Sequence, residues 1–138
     1  MNISTKGRYG LRAIMDIARH GQEKPVTLSA IALRQQISEG YLEQLMVPMK
    51  KAGLVKSSRG AQGGYTLARK PQEILVGDIF RALEGPLALT SCISEVDEKY
   101  CHMLENCGSR FIWEEIQKAV SQVLASYTLA DLLKRESN

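Results

Sequence analysis

Ser38-Glu39-Gly40-Tyr41-Leu42-Glu43-Gln44-Leu45-Met46-Val47-Pro48-Met49-Lys50-Lys51-Ala52-Gly53 is the stretch on which the fold turns. Ser38 is a helix-capping residue, and Glu39 sits in the first turn, where a carboxylate meets the positive end of the helix dipole. Leu42, Leu45, Met46 and Met49 recur at i, i+3, i+4 and i+7, so this helix buries one stripe before Gly53 stops it. Immediately upstream, Thr27 or Ser29 opens a short helix containing Ile31, Ala32 and Leu33, and Gln35, Gln36 and Ile37 form the turn between the two. Two short helices joined so tightly have the layout of a helix-turn-helix. Downstream, Val55–Arg59 and Gly64–Arg69 read as strands around Gly60-Ala61-Gln62-Gly63, a basic hairpin placed as a wing. The glycine cluster is a hairpin turn and not a phosphate loop, because no Gly-Lys-Ser/Thr follows and no helix opens there.

Working outward, Ser4 and Thr5 cap a helix to about His20, with Tyr9, Ala13, Ile14, Ile17 and Ala18 on one face and Gly21 at its end. After Pro71 a helix begins near Val76 and runs to Leu83, ahead of Gly85-Pro86. Residues 86–109 are irregular. A long helix over Ser109–Ser126 carries Ile112, Ile116, Ala119, Val120, Val123 and Tyr127 on one stripe, which fits a core helix or a pair of helices from two chains. Thr128 caps a last short helix, Leu129–Lys134. The expected core includes Leu42, Leu45, Ile79, Ile116 and Val120. The fold class is mainly α with a small β-hairpin wing: a winged helix-turn-helix plus a long C-terminal dimerisation helix. Residues 1–70 form the DNA-binding part and 71–108 the connecting helix and cysteine segment; 109–138 hold the dimerisation helix and the short helix after it.

The 138 residues are 44% hydrophobic and 24% charged, ordinary usage for one globular core. No apolar run approaches the ~18 residues of a membrane span, and Lys6, Arg8, Arg12, Asp16 and Arg19 interrupt any secretory signal. A cytoplasmic location follows as the expectation. The net charge of +3 conceals an asymmetry. Residues 1–70 carry twelve Lys and Arg against four acids, a net +8, whereas 71–138 carry six against eleven, a net −5. A basic half beside an acidic one points to a polyanion-binding module joined to something else. An enzyme is disfavoured, since two His and no nucleophile–base pair are too little for general acid–base work.

Cys92, Cys101 and Cys107 lie within 16 residues, with eight residues in the first gap and five in the second. An odd number of thiols in a reducing compartment argues against a structural disulfide, and without a C-x-x-C a zinc ribbon is weakly supported. Spacing alone leaves an iron–sulfur cluster, zinc and free redox thiols open.

Several motifs stand in one order: Ser4-Thr5-Lys6-Gly7-Arg8-Tyr9-Gly10, Tyr41-Leu42-Glu43-Gln44-Leu45, Ala52-Gly53-Leu54-Val55, Arg59-Gly60 through Gly63-Gly64-Tyr65, and Gly77-Asp78-Ile79 with Leu83-Glu84-Gly85-Pro86. Together they cover two-thirds of the chain and resemble the Rrf-type winged-helix regulators of bacteria, in particular their iron–sulfur cluster-regulator branch. The resemblance implies a homodimer, a palindromic double-stranded operator, and a 2Fe–2S cluster that alters which DNA is recognised, with iron–sulfur biogenesis genes as targets. It implies that Gln44 reads base edges in the major groove. It also implies that Glu43 penalises one operator class and that Arg59 enters the minor groove. Tyr41 and Ser38 complete the expected DNA-facing set. Gly40 departs from the pattern, because the family often has a hydrogen-bonding residue there.

The resemblance also makes Cys92, Cys101 and Cys107 the metal ligands. Arg110 stands where such members have a ligating His, so His102 is the expected fourth ligand, with Glu105 or Asp97 behind it. Two other readings compete: a clusterless cysteine-metabolism repressor of the same superfamily that acts with a partner enzyme, and a metal- or redox-binding carrier protein.

Overall fold

The structure is a computed structural model that describes residues 2–94, 101, 103 and 105–136. Among the described residues, six helices and one hairpin run in the order α1 (Thr5–His20), α2 (Leu28–Gln35), α3 (Glu39–Lys51), β1 (Val55–Ser58), β2 (Gly64–Leu67), α4 (Val76–Glu84), α5 (Gly108–Ser126) and α6 (Leu129–Arg135), with single 3₁₀ turns at Pro71–Glu73 and Ser91–Ile93. Each of the first three helices opens on a hydroxyl cap. Ser4 accepts from the Gly7 N–H, Thr27 from Ala30 and Ser38 from Tyr41, satisfying donors that the helix start leaves unpaired. No described helix is long and apolar enough to cross a membrane.

The core gathers Ile14 and Ile17 of α1, Ile31 of α2, Leu42, Leu45, Met46 and Met49 of α3, Leu54 and Val55 at the wing root, and Ile79 of α4. The stripe expected on α3 is therefore the buried one. Pro48 lies inside α3 without ending it, although it has no N–H to give the Gln44 carbonyl. Packing of Leu45, Met46 and Met49 on the core holds the helix through that missing bond.

α1 crosses α4 at unusually close range. A Cβ on Gly10 would lie 2.2 Å from Leu83 Cδ1, so a side chain there would force Leu83 to move. Between α1 and α2 lies a polar clamp that sequence periodicity did not signal. Asp16, buried at 3% exposure, accepts from Arg34 Nε at 2.9 Å, from Arg34 Nη2 at 2.7 Å and from Gln35 Nε2 at 2.9 Å. Arg12 in turn donates to the Gln35 side-chain and backbone carbonyls. Burial pushes the Asp16 carboxyl up, but the Arg34 and Gln35 hydrogen bonds and the Arg34 charge outweigh it and hold it below the usual range.

The wing is an antiparallel pair in the register Val55↔Leu67 to Ser58↔Gly64. Each strand is shorter than expected: Arg59 lies past the last ladder pair, just before the turn closed by the Gly63 N–H on the Gly60 carbonyl, and Ala68, past Leu67, bonds Leu54. The hairpin is anchored below by Val26, which exchanges both backbone hydrogen bonds with Tyr65 at 2.9 and 2.7 Å. Gly64 permits this anchor, since a Cβ there would meet the Val26 carbonyl oxygen at 2.5 Å.

The C-terminal helices behave differently from one another. α6 returns to α1 and the 71–73 turn: Leu129 is fully buried, its N–H bonds the Ile74 carbonyl at 2.8 Å, and Arg19 pairs with Glu136. α5 has no buried residue at all. The expectation that Ile116 and Val120 belong to the core is corrected, because both are only half-buried. The reason is geometric: α5 packs on α4 and the 91–93 turn along one side, and among the described residues nothing buries the other.

Candidate nucleic-acid interface and cysteine segment

The same periodicity that buries Leu42, Leu45, Met46 and Met49 turns Glu39, Gly40, Glu43, Gln44, Val47 and Lys51 outward. Glu43 and Gln44 are exposed and make no side-chain hydrogen bond or ion pair with the described residues, so both are available to an external group. Val47, 65% exposed, shares their face and was not singled out from the sequence. Its spacing, four residues after Glu43 and three after Gln44, is the signal that could have found it.

Ser38 and Tyr41 are placed otherwise. The Ser38 hydroxyl oxygen accepts the Tyr41 N–H at 3.2 Å, which commits it to capping while its O–H remains able to donate. Tyr41 is half-buried, and its ring meets Tyr9 edge-on at 5.9 Å and 84°. The guanidinium groups of Arg8 and Arg12 lie 5.7 and 5.4 Å from the Tyr9 ring. The aromatic pair thus ties the start of α3 to α1 beside two cations.

Arg59 is exposed at the wing tip without a partner among the described residues. Lys50 bridges wing and helix, donating to Ser57 Oγ at 2.7 Å, so α3 and β1 present their charges as one unit. Elsewhere cations are already used: Arg34 on Asp16, and Arg69 and Arg81 within 3.5 and 3.6 Å of Asp78.

All three cysteines are free thiols and half-buried. Cys92 lies in the 91–93 turn with its sulfur 3.0 Å from Thr90 Oγ1. Cys107 immediately precedes α5. The Ser109 hydroxyl, backbone N–H groups of Arg110 and Ser109, and the Arg110 charge hold its thiol below the ordinary value. Arg110 itself is directed to Glu114 at 2.9 Å. His102 and Asp97 lie outside the described residues, and Glu105 is exposed. Among the described residues no three Cys, His, Asp or Glu side chains converge on a point that could hold a metal ion. The donor chemistry therefore suits a cluster, whereas the arrangement of the three sulfurs does not yet form a ligand set.

α5 adds an apolar stripe of Ile112 at 46%, Trp113 at 38% and Val123 at 58% exposure, continued by Tyr127 just past its end, while Phe111, 66% exposed, lies to one side of it.

Comparison with known proteins gives this geometry a family. Residues 3–135 match the Rrf2 family model, described as an iron-dependent transcriptional regulator. The HTH-type transcriptional regulator CymR of Bacillus subtilis is 46% identical over 132 residues, covering 96% of this chain and 89% of the relative. Among solved structures, T. potens IscR superimposes with a TM-score of 0.80 at 48% identity, covering 99% of this chain and 89% of that one. The structure of B. subtilis CymR, the global cysteine regulator, superimposes with a TM-score of 0.81 at 43% identity over 99% of both chains. These relatives are regulators and not enzymes, in keeping with the lack of a nucleophile–base pair in the sequence. A match across nearly the whole chain, together with the winged-helix fold, places this protein in the Rrf2 family of transcriptional regulators.

Proposed function

We propose that this chain works in the cytoplasm as a DNA-binding regulator. As a homodimer on a palindromic operator it inserts α3 into the major groove and the wing tip into the minor groove. The observation that carries the reading is the pairing of an outward α3 face, bearing Glu43 and Gln44, with an unpartnered Arg59 at the tip of a hairpin bound to that helix. Gln44 has the amide geometry to bond an adenine edge bidentately, and Glu43 repels acceptor-rich edges unless a cytosine amino group is offered. Arg59 suits the negative potential of a narrow A·T-rich minor groove. Tyr41 and Ser38 support the start of the reading helix. The apolar stripe of α5 is the dimer contact, a use that fits its exposed Ile112, Trp113 and Val123.

The finer reading is that Cys92, Cys101 and Cys107, with His102 as fourth ligand, hold a 2Fe–2S cluster that changes operator preference on iron–sulfur biogenesis genes. Three thiols in one segment and the lowered Cys107 thiol favour it over a clusterless cysteine-metabolism repressor. The similarity to IscR and to CymR is too even to separate the two. On this reading the three sulfurs are brought together only when the cluster binds.

One preparation tests both levels. Duplex affinity of the wild-type chain should fall by ~10³–10⁵ between 50 and 200 mM salt if a dimer neutralises ~6–10 phosphates. Glu43→Ala should relax discrimination between operators without a uniform loss. Binding that ignores salt, or no binding to any fragment of a promoter library, would sink the DNA reading. Anaerobic purification should yield a brown protein whose colour disappears in the Cys92→Ala/Cys101→Ala/Cys107→Ala variant. A colourless protein that still binds duplex DNA is the clusterless repressor.

A further inference from the structure

We infer that Val47 is a specificity-determining residue that reads the 5-methyl group of a thymine, an inference that rests on the DNA-binding reading above. At about 100° per residue, Val47 lies roughly 40° from Glu43 and 60° from Gln44 around the helix axis. It therefore bisects the two polar side chains at the centre of the outward face. With 65% of its surface exposed, it makes no use of its methyl groups within the chain comparable to that of the buried stripe. A single exposed valine is ordinary on a protein surface, and Leu33 on α2 is more exposed still, at 82%. Position distinguishes Val47, because it stands between the groups offered to base edges.

Two further features support the contact. A β-branched side chain in a helix is confined to essentially one χ1 rotamer, so its two methyl groups are presented rigidly. Gly40, on the same stripe seven residues earlier, has nothing within 4 Å of where a Cβ would stand and adds no bulk of its own. Gly40 lies about 10.5 Å along the axis from Val47, so it keeps the start of the helix face free of bulk, while the reach of Val47 rests on its own exposure. The chemistry selects the target: of the four bases, thymine alone offers a methyl group in the major groove. Val47 is ~4.5 Å along the axis from Gln44, so its thymine falls one or two base pairs from the base that Gln44 contacts.

The probe is a duplex selected from a randomised pool by the wild-type chain. Each thymine of a half-site, together with its symmetry mate, is replaced by deoxyuridine, which deletes the methyl group alone. We expect one position, one or two base pairs from the Gln44 contact, where wild-type affinity falls about fourfold per half-site. At that position Val47→Ser should be indifferent to the replacement, and Val47→Thr, which keeps one methyl group, should retain sensitivity. Intact, salt-sensitive binding with no position at which deoxyuridine distinguishes wild type from Val47→Ser overturns this inference alone. Failure of the wild-type chain to select any duplex overturns the DNA-binding reading and this inference with it.

Discussion

Removing either side of the Asp16–Arg34 clamp should destabilise the chain, with a different pH dependence from each side. The Asp16 side chain has no solvent exposure, whereas that of Arg34 is 36% exposed. Asp16→Asn replaces an acceptor of three hydrogen bonds with an amide whose NH₂ group must face at least one of the donors on Arg34 or Gln35. Hydrogen bonds to a charged group contribute ~1.5–3 kcal/mol each. Arg34 regains water when released, so the net loss should be ~2–3 kcal/mol and not the sum. For a chain of this size that corresponds to a fall in Tm of roughly 6–12 °C. Arg34→Ala should cost more, ~3–5 kcal/mol, because it leaves a buried carboxylate with one hydrogen bond, from Gln35, and the more distant charge of His20.

The pH profiles follow from the carboxyl. In the wild type its folded pKa is depressed, so its contribution is present above the unfolded value of about 4 and lost as pH falls through the folded one. Asp16→Asn removes that part of the acid limb. In Arg34→Ala the burial of the carboxylate has lost its largest offset, so the deficit of this variant against the wild type should widen as pH rises above about 4. Urea unfolding followed by circular dichroism between pH 3 and 8 reads all three profiles. Equal losses for the two variants, or parallel pH profiles, would refute the assignment of the clamp as a buried charge held by a half-exposed one.

Three other substitutions test local geometry. Gln36 sits at φ 55° in the turn between α2 and α3, a left-handed conformation that costs a side chain ~1 kcal/mol, so Gln36→Gly should raise the urea midpoint by ~0.5–1 kcal/mol equivalent. Gly10→Ala should cost ~1–3 kcal/mol through overlap with Leu83, and Gly10→Ala/Leu83→Ala should be less destabilised than the sum of its parts in a double-mutant cycle. Gly40→Ser meets open space and should stabilise α3 by roughly 0.5 kcal/mol in thermal unfolding; a loss instead would mean that the helix start is crowded.

Much of this protein was legible along the chain because its signals are local. Capping by Ser4, Thr27 and Ser38, the stripe Leu42-Leu45-Met46-Met49, and a glycine-closed basic hairpin each depend on residues within a few positions, where backbone chemistry leaves few alternatives. The outward position of Glu43 and Gln44 follows from the same helical period. Other features required tertiary structure, since they join residues far apart in sequence. Asp16 appeared only as a charge on an amphipathic helix until Arg34 and Gln35 came within hydrogen-bond distance of it. Leu129 became core, and α6 a brace for α1, only once Ile74 was there to accept its N–H. The stripe on α5 shows the limit most clearly. Period 3.6 establishes that one face is apolar but not what covers it, because a core contact and a contact with a second chain bury the same side chains by the same hydrophobic effect. Only the position of α5, with α4 on one side and its Ile112 and Val123 still exposed, decided that the other described residues do not cover that face.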